Sequence, residues 1–318
     1  MKRGCVIGYD INEKGCQISY YDDSMEEPDT MMASSNNYLI PLVLGYFKDR
    51  WVFGKEAKRL AVVGEDCTET DLYGKAKRRE KVSLAGKTYD AVWLLAKYIS
   101  LTLQDFENIQ YLTFTTPETD VDMAKMLKGI GQHIGVDKEI INVQDYKESF
   151  CQYMIFQPKE LWQYESALFY CDEDRIKAYM LRRLRVDASH GMNSFVTVDE
   201  VANAQRKELE ALYPIMNKEK SPDESFKSMI ENVFEKKVIS SVYLTGEGFE
   251  KNWYPNSLRV LCNGRRAFMG NNLYSKGACY KSIRKCEPND DGPIYLDETK
   301  LTERICLRMR VDGQEGWY

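Results

Sequence analysis

Three consecutive acids are the residues of this chain best placed to do chemistry. In "ALFYCDEDRIKAYML", residues 167–181, two alternating strand-like runs are joined by a turn of Asp172, Glu173 and Asp174. That is a β-hairpin pattern with its densest negative charge at the tip. Neighbouring carboxylates supply the oxygen ligands that hard cations take, and they are equally the composition of a plain solvated turn. The one basic run, "GKAKRREK", sets Lys75, Lys77, Arg78, Arg79 and Lys81 close together, as a local anion patch or a solvated face. Other reactive groups are sparse. The nine cysteines are odd in number and never form a C-x-x-C pair, so neither a disulfide framework nor a zinc site is indicated. His133 and His190 lie far apart in sequence and suggest no metal site or catalytic triad.

The chain that must position these groups has 318 residues, 43% hydrophobic and 29% charged, which is enough for two domain-sized cores. No apolar run approaches the roughly 18 to 20 residues of a membrane span, and "MKRGCVIGYD" enters a strand pattern directly, without a signal-peptide core. A cytoplasmic location is expected. A net charge of −5 argues against general affinity for nucleic acid or anionic membranes, which rests on clustered positive charge.

The periodicities predict a hairpin over residues 5–21, then two short strands with a turn at 48–50, and a helix from about Lys55. A helix in "TYDAVWLLAKYISLTLQDF", the strand "IQYLTFTT", a helix entered by Pro117 and left at Gly135, and the strand "EIINV" follow. Strand, helix, strand implies a parallel crossover. After a helical stretch at 147–155 the chain opens a second hairpin at 167–186, which suggests a duplicated architecture. Beyond it the sequence predicts a helix at about 198–212 and a helix capped by Ser221 with Pro222 in its first turn. The strand "VISSVYLTG", a Gly-rich turn, a strand "SLRVLCN" and a helix following "FMGNN" complete this half. From 287 the pattern turns to β alternation, predicting a small β-rich domain that begins at 287–318 and continues past Tyr318.

Put in order, these pieces resemble the actin and Hsp70 ATPase superfamily over nearly residues 1 to 285. "IPLVLGYFKDRWVFGKEAKRLAV" is similar to the Hsp70 segment in which a Pro-containing strand, a turn and a Gly lead into an "EAKRQA"-type helix. "LTFTTPETDVDMAKMLKGIGQHIGV" is similar to the family's strand, Pro-containing turn and helix, and "SSVYLTGEGF" to its adenosine-side strand and turn. The chain also resembles an uncharacterised bacterial Hsp70-like branch in which a wing-type β domain follows the core. The likeness implies an actin-like α/β fold with two lobes, residues 1–160 and 161–286. Each lobe would carry a mixed sheet flanked by helices, closing on a central cleft.

In the superfamily the two hairpin tips face each other across bound ATP or ADP and its Mg²⁺. The first tip resembles "DLGTTN", and here it reads Asp10, Ile11, Asn12, Glu13, Lys14, Gly15. The likeness makes Asp10 the metal organiser and Lys14 a phosphate clamp, but Asn12 replaces a Gly and Glu13 a hydroxyl residue. The second tip resembles "DLGGGT", whose backbone N–H groups nest a phosphate; Asp172, Glu173 and Asp174 stand there instead. At an effective dielectric of about 20, two like charges about 4 Å apart repel by roughly 4 kcal/mol, and a polyphosphate would meet several. The acidic tip therefore reads as a phosphate loop that has lost phosphate, or else as a cation site made by the same three acids. Gln144 or Asp145 matches the position that orients attacking water. Gly246 and Gly248 match the adenosine-side turn, where a strand-to-helix turn calls for Gly with or without ligand. Only about 55 to 60 residues separate the second hairpin from "VYLTG", which implies a reduced outer subdomain over the adenine.

Two functions follow from the resemblance. One is a pseudo-ATPase that acts as a binding or scaffolding module for protein partners. The other is a working chaperone-like ATPase or sugar-kinase relative, with Asp10, Lys14 and Gln144 or Asp145 in its machinery. The fold likeness supports both equally, because fold alone does not decide activity; the acidic tip favours the first.

Overall fold

The computed structural model describes residues 4–34, 37–63, 67–184, 194–205, 221–286 and 292–297, with the backbone of 308–311 and 314–317. The fold is mixed α/β. It opens on an antiparallel hairpin, β1 (Cys5–Ile11) and β2 (Gly15–Tyr21), with β3 (Asp29–Thr30) and β4 (Ile40–Pro41) on the far side of β2. A small sheet of β5 (Leu44–Phe47), β6 (Arg50–Phe53) and β7 (Thr68–Glu69) follows, with α1 (Gly54–Val63) packed on it. Next come α2 (Leu72–Lys77), the hairpin β8 (Lys81–Leu84) and β9 (Lys87–Asp90), and α3 (Ala91–Thr102). The strand β10 (Ile109–Thr116) returns parallel to β1, and α4 (Val121–His133) carries the chain to β11 (Ile141–Asp145), parallel to β10. This is the crossover expected from the sequence.

A second sheet begins after α5 (Tyr146–Ile155). Its hairpin is β12 (Glu165–Cys171) and β13 (Arg175–Leu184), extended by β14 (Phe195–Gln205). Then α6 (Pro222–Phe234), β15 (Ile239–Thr245), α7 (Pro255–Leu261), β16 (Arg266–Met269) and α8 (Leu273–Cys286) follow. β15 lies parallel to β12 and β16 parallel to β15, while β17 (Ile294–Tyr295) joins the other edge beside β14. A last hairpin, β18 (Arg308–Val311) and β19 (Gln314–Trp317), pairs with itself. The two six-stranded sheets share one plan. In each, a hairpin is flanked by two strands parallel to the hairpin's first strand.

Two helices lie between the sheets. α8 rests on β1, β2 and β10, while Tyr146, Phe150 and Met154 of α5 pack with Leu168, Tyr179 and Leu181 of the second sheet. Close approach is bought by small residues. A Cβ on Gly8 would lie 2.1 Å from the Ser275 carbonyl oxygen, and one on Gly277 would lie 2.0 Å from that of Ser149. Hydroxyl pairs stitch the same layer, Ser19 to Ser275 at 2.8 Å and Thr113 to Ser282 at 2.7 Å. On the opposite face of β1, Ile7, Tyr9 and Ile11 enter the first core with Leu94, Ile99 and Leu127. That two-sided cover is why β1 reads as an almost unbroken apolar run.

Helix starts follow their capping residues. Asp90, Asp120, Asp145 and Ser221 each accept a hydrogen bond from the first turn of α3, α4, α5 and α6. Two expectations are corrected. The stretch from residue 198 is not helical: Val196 and Val198 alternate into the core as β14 pairs antiparallel with β13, and residues 206–212 lie outside the described ones. "SLRVLCN" is α7, entered by Pro255 with Ser257 and Leu261 on its buried side. The strand there is β16 instead, pairing parallel with β15. No helix among the described residues is long and apolar enough to cross a membrane.

Candidate functional site

The two hairpin tips face each other, and each is closed by its own side chain. In the first, the Asn12 N–H donates to the Gly15 carbonyl at 3.0 Å, and Asn12 Oδ1 accepts the N–H groups of Lys14 at 2.9 Å and Gly15 at 3.2 Å. In the second, the Asp172 N–H donates to the Arg175 carbonyl at 3.1 Å, and Asp172 Oδ1 accepts the N–H groups of Asp174 and Arg175, both at 2.8 Å. The two turns are the same Asx motif. A side-chain oxygen sits in each tip where a nest of N–H groups would hold an outside anion.

A third loop closes over them. Lys14 Nζ forms a close ion pair with Glu247 Oε1 and lies 3.9 Å from Glu173 Oε2, so this one cation links both tips to the turn after β15. Gly246 and Gly248 make that turn possible. Gly246 has φ +99°, and a Cβ on it would lie 2.1 Å from the Cys171 carbonyl oxygen; one on Gly248 would lie 2.3 Å from Cys171 Sγ. Their smallness is used to seat the turn on the second tip. The Gly246 N–H donates to Asn271 Oδ1 at 3.1 Å.

Beneath the tips lies Asp10, on the β1 face turned away from the first core and 3% exposed. Tyr146 Oη donates to Asp10 Oδ1 at 2.8 Å, and Asn12 Nδ2 donates in turn to Tyr146 Oη at 3.0 Å. Burial pushes the Asp10 carboxyl up to about 7, partly opposed by the Tyr146 hydroxyl. Tyr146 stacks on Tyr274 with centroids 3.6 Å apart, and Tyr170 leans against both rings at 6.4 and 6.3 Å. Burial raises the Tyr146 and Tyr274 hydroxyls well above the usual range, so both stay neutral: Tyr146 packs and hydrogen-bonds, while Tyr274 packs, its buried Oη without a hydrogen-bond partner among the described residues. Rings from α5, β12 and α8 thus occupy the ground between the tips and the helix layer.

Gln144 and Asp145 are held in structural bonds. Gln144 Nε2 donates to Ser149 Oγ at 2.7 Å, and Ser149 shares a hydrogen bond with Thr115 at 2.7 Å. Asp145 caps α5, accepting the Glu148 N–H at 2.8 Å, and burial raises its carboxyl. Of the acids proposed as cation ligands, Asp172 turns into its own loop while Glu173 and Asp174 are exposed. Among the described residues no group of three His, Cys, Asp or Glu side chains is arranged to hold a metal. In the basic run, Lys75 pairs with the buried Glu69 at 2.9 Å, and Arg78 with Asp71 at 2.9 Å and Glu80 at 2.5 Å. His133 sits in the last turn of α4, and His190 lies outside the described residues.

As arranged, these residues do not fit a nucleotide polyphosphate with its Mg²⁺. Three N–H donors at each tip are satisfied within their own turns, Lys14 is paired, and carboxylates lie beside it. Sequence reasoning missed the tyrosine cluster and Glu247. The count of 21 tyrosines was the available signal, but composition says nothing of where rings converge. The sheets and tips define a mixed α/β protein with two similarly built halves meeting at opposed hairpin tips. Residues 27–298 match the C-terminal part of a family of unknown function, DUF5716, and the chain belongs to that family. No curated protein matches it.

Proposed function

We propose that this chain is a degenerate relative of the actin and Hsp70 ATPases. It keeps two lobes around a cleft and acts as a binding or scaffolding module for protein partners in the cytoplasm. The shared plan of the two six-stranded sheets and the opposition of their hairpin tips support the fold likeness. One observation carries the loss of nucleotide: Asn12 and Asp172 each fill their own tip with a side-chain oxygen. The Lys14–Glu247 pair adds to it by engaging the only tip lysine. On this reading the cleft holds one geometry without a nucleotide cycle, and recognition belongs to an outer surface.

The test is a thermal melt with and without millimolar Mg-ATP, Mg-ADP and Ca²⁺, since a ligand that binds only the folded state raises the transition. No shift is expected with any of them. A nucleotide-dependent rise, joined by steady ATP turnover that Asp10→Ala abolishes, would overturn the reading in favour of a working ATPase. A rise with Ca²⁺ alone would instead make the acidic tip a cation site.

A further inference from the structure

A hollow of about 380 Å³ opens at the outer edge of the second sheet, where β15 and β16 begin, lined by Glu160, Leu161, Ser240, Gly264, Arg265 and Arg266. It is separate from the tips. Arg265 is half-buried, with its guanidinium carbon 4.5 Å over the Phe234 ring. Its Nη1 is buried and has no hydrogen-bond partner among the described residues. A guanidinium stays charged, and a buried N–H of a charged group left without an acceptor is costly. No hydrogen bond or ion pair engages Arg265 among the described residues, and a guanidinium N–H fork is suited to a carboxylate or phosphate.

We propose that this hollow is an oxyanion-binding site, taking a single carboxylate or phosphate group on Arg265. Arg266, exposed on the same wall, adds a second positive charge. Ser240 Oγ already accepts the Tyr164 N–H at 2.9 Å, so its own hydroxyl proton remains to be donated to the anion. Gly264, at φ +71° with nothing within 4 Å of a would-be Cβ, leaves the approach clear. Glu160 lines the same hollow and sets the charge limit. Its carboxylate repels a polyanion more than a monoanion, so a single oxyanion group on a small molecule or peptide is favoured over a nucleotide triphosphate.

The experiment is isothermal titration of the full chain with acetate and with inorganic phosphate, on wild type, Arg265→Gln, Arg266→Gln and Glu160→Gln. Binding by wild type is expected, weakened about tenfold or more in Arg265→Gln, as loss of a charge-assisted hydrogen bond implies, and several-fold in Arg266→Gln. Glu160→Gln should tighten phosphate more than acetate. Circular dichroism melts check folding; if Arg265→Gln fails to fold, the two exposed positions decide. Absence of binding by wild type, or affinities unmoved by these substitutions, would overturn the site. Neither result depends on whether the cleft takes nucleotide.

Discussion

Asp10 shows how burial alters the chemistry of a single residue. A carboxyl raised from 3.8 to about 7 by burial holds its proton in the folded state at pH values where the unfolded chain has lost it. Above pH 7 the group is ionised in both states and the folded state carries the full burial cost. As pH falls from about 7 towards 4 that cost is relieved, and below the unfolded value it is gone. Asp10→Asn is therefore expected to stabilise the protein at pH 8 by up to about 4 kcal/mol, at about 1.4 kcal/mol per unit, with the gain vanishing near pH 4. Urea melts of both proteins across that range measure it. At the tips, Asn12→Ala removes the acceptor for two N–H groups and is expected to cost about 1 kcal/mol. Replacing Asp172, Glu173 and Asp174 together by Gly restores a tip without carboxylates. Equilibrium dialysis with ATP should then show binding stronger than that of wild type; no change would mean that the tip carboxylates do not decide nucleotide binding.

Elements in this chain are set by caps and by what they pack against, and the two were unequally legible. Asp90, Asp120, Asp145 and Ser221 mark their helices locally; the helix capped by Ser221 begins where the sequence predicts, while α4 begins at Val121, after its Asp120 cap, and not at Pro117. β14 and α7 were misread because their identity depends on partners: Phe195–Gln205 is a strand since β13 offers it an antiparallel edge. α7 is fixed from a distance by Asp223 of α6, which accepts the N–H groups of Asn256 at 2.7 Å and Ser257 at 2.8 Å and the Ser257 hydroxyl at 2.7 Å. Asp223→Ala strands those donors and is expected to lower stability by about 2 to 3 kcal/mol in a denaturant melt. Gly277→Ala tests the α5–α8 crossing. With backbone oxygen 2.0 Å from the new methyl, the helices must separate, at a cost of about 3 kcal/mol or failure to fold.

At the scale of the whole molecule, the α5–α8 layer makes the two sheets one cooperative object. Its residues belong to a core cluster that includes β12, β13 and β15 side chains, while α8 lies directly on β1. Calorimetry is expected to show a single transition, with calorimetric and van't Hoff enthalpies in agreement; two resolved transitions would mean that the halves unfold separately. The Lys14–Glu247 pair contributes to closure more than to stability. Both side chains are over a third exposed, so Lys14→Ala should change stability by less than about 1 kcal/mol. It should nonetheless quicken hydrogen exchange at the three loops it joins.

The sequence by itself determined the α/β class, both hairpins, the crossover through α4 and the capped helices, because those signals are local: side-chain period, capping residue, turn chemistry. It also carries three negative charges and no Gly at the second tip, from which a poor fit to phosphate is expected. Only the tertiary structure decided how the tips are filled. The oxygen of Asn12 turning into its own loop, Tyr146 bridging Asn12 to Asp10, Glu247 meeting Lys14, and three tyrosines converging from α5, β12 and α8 join residues up to 233 positions apart. Such contacts are fixed by the packing of helices on sheets, which no local periodicity encodes.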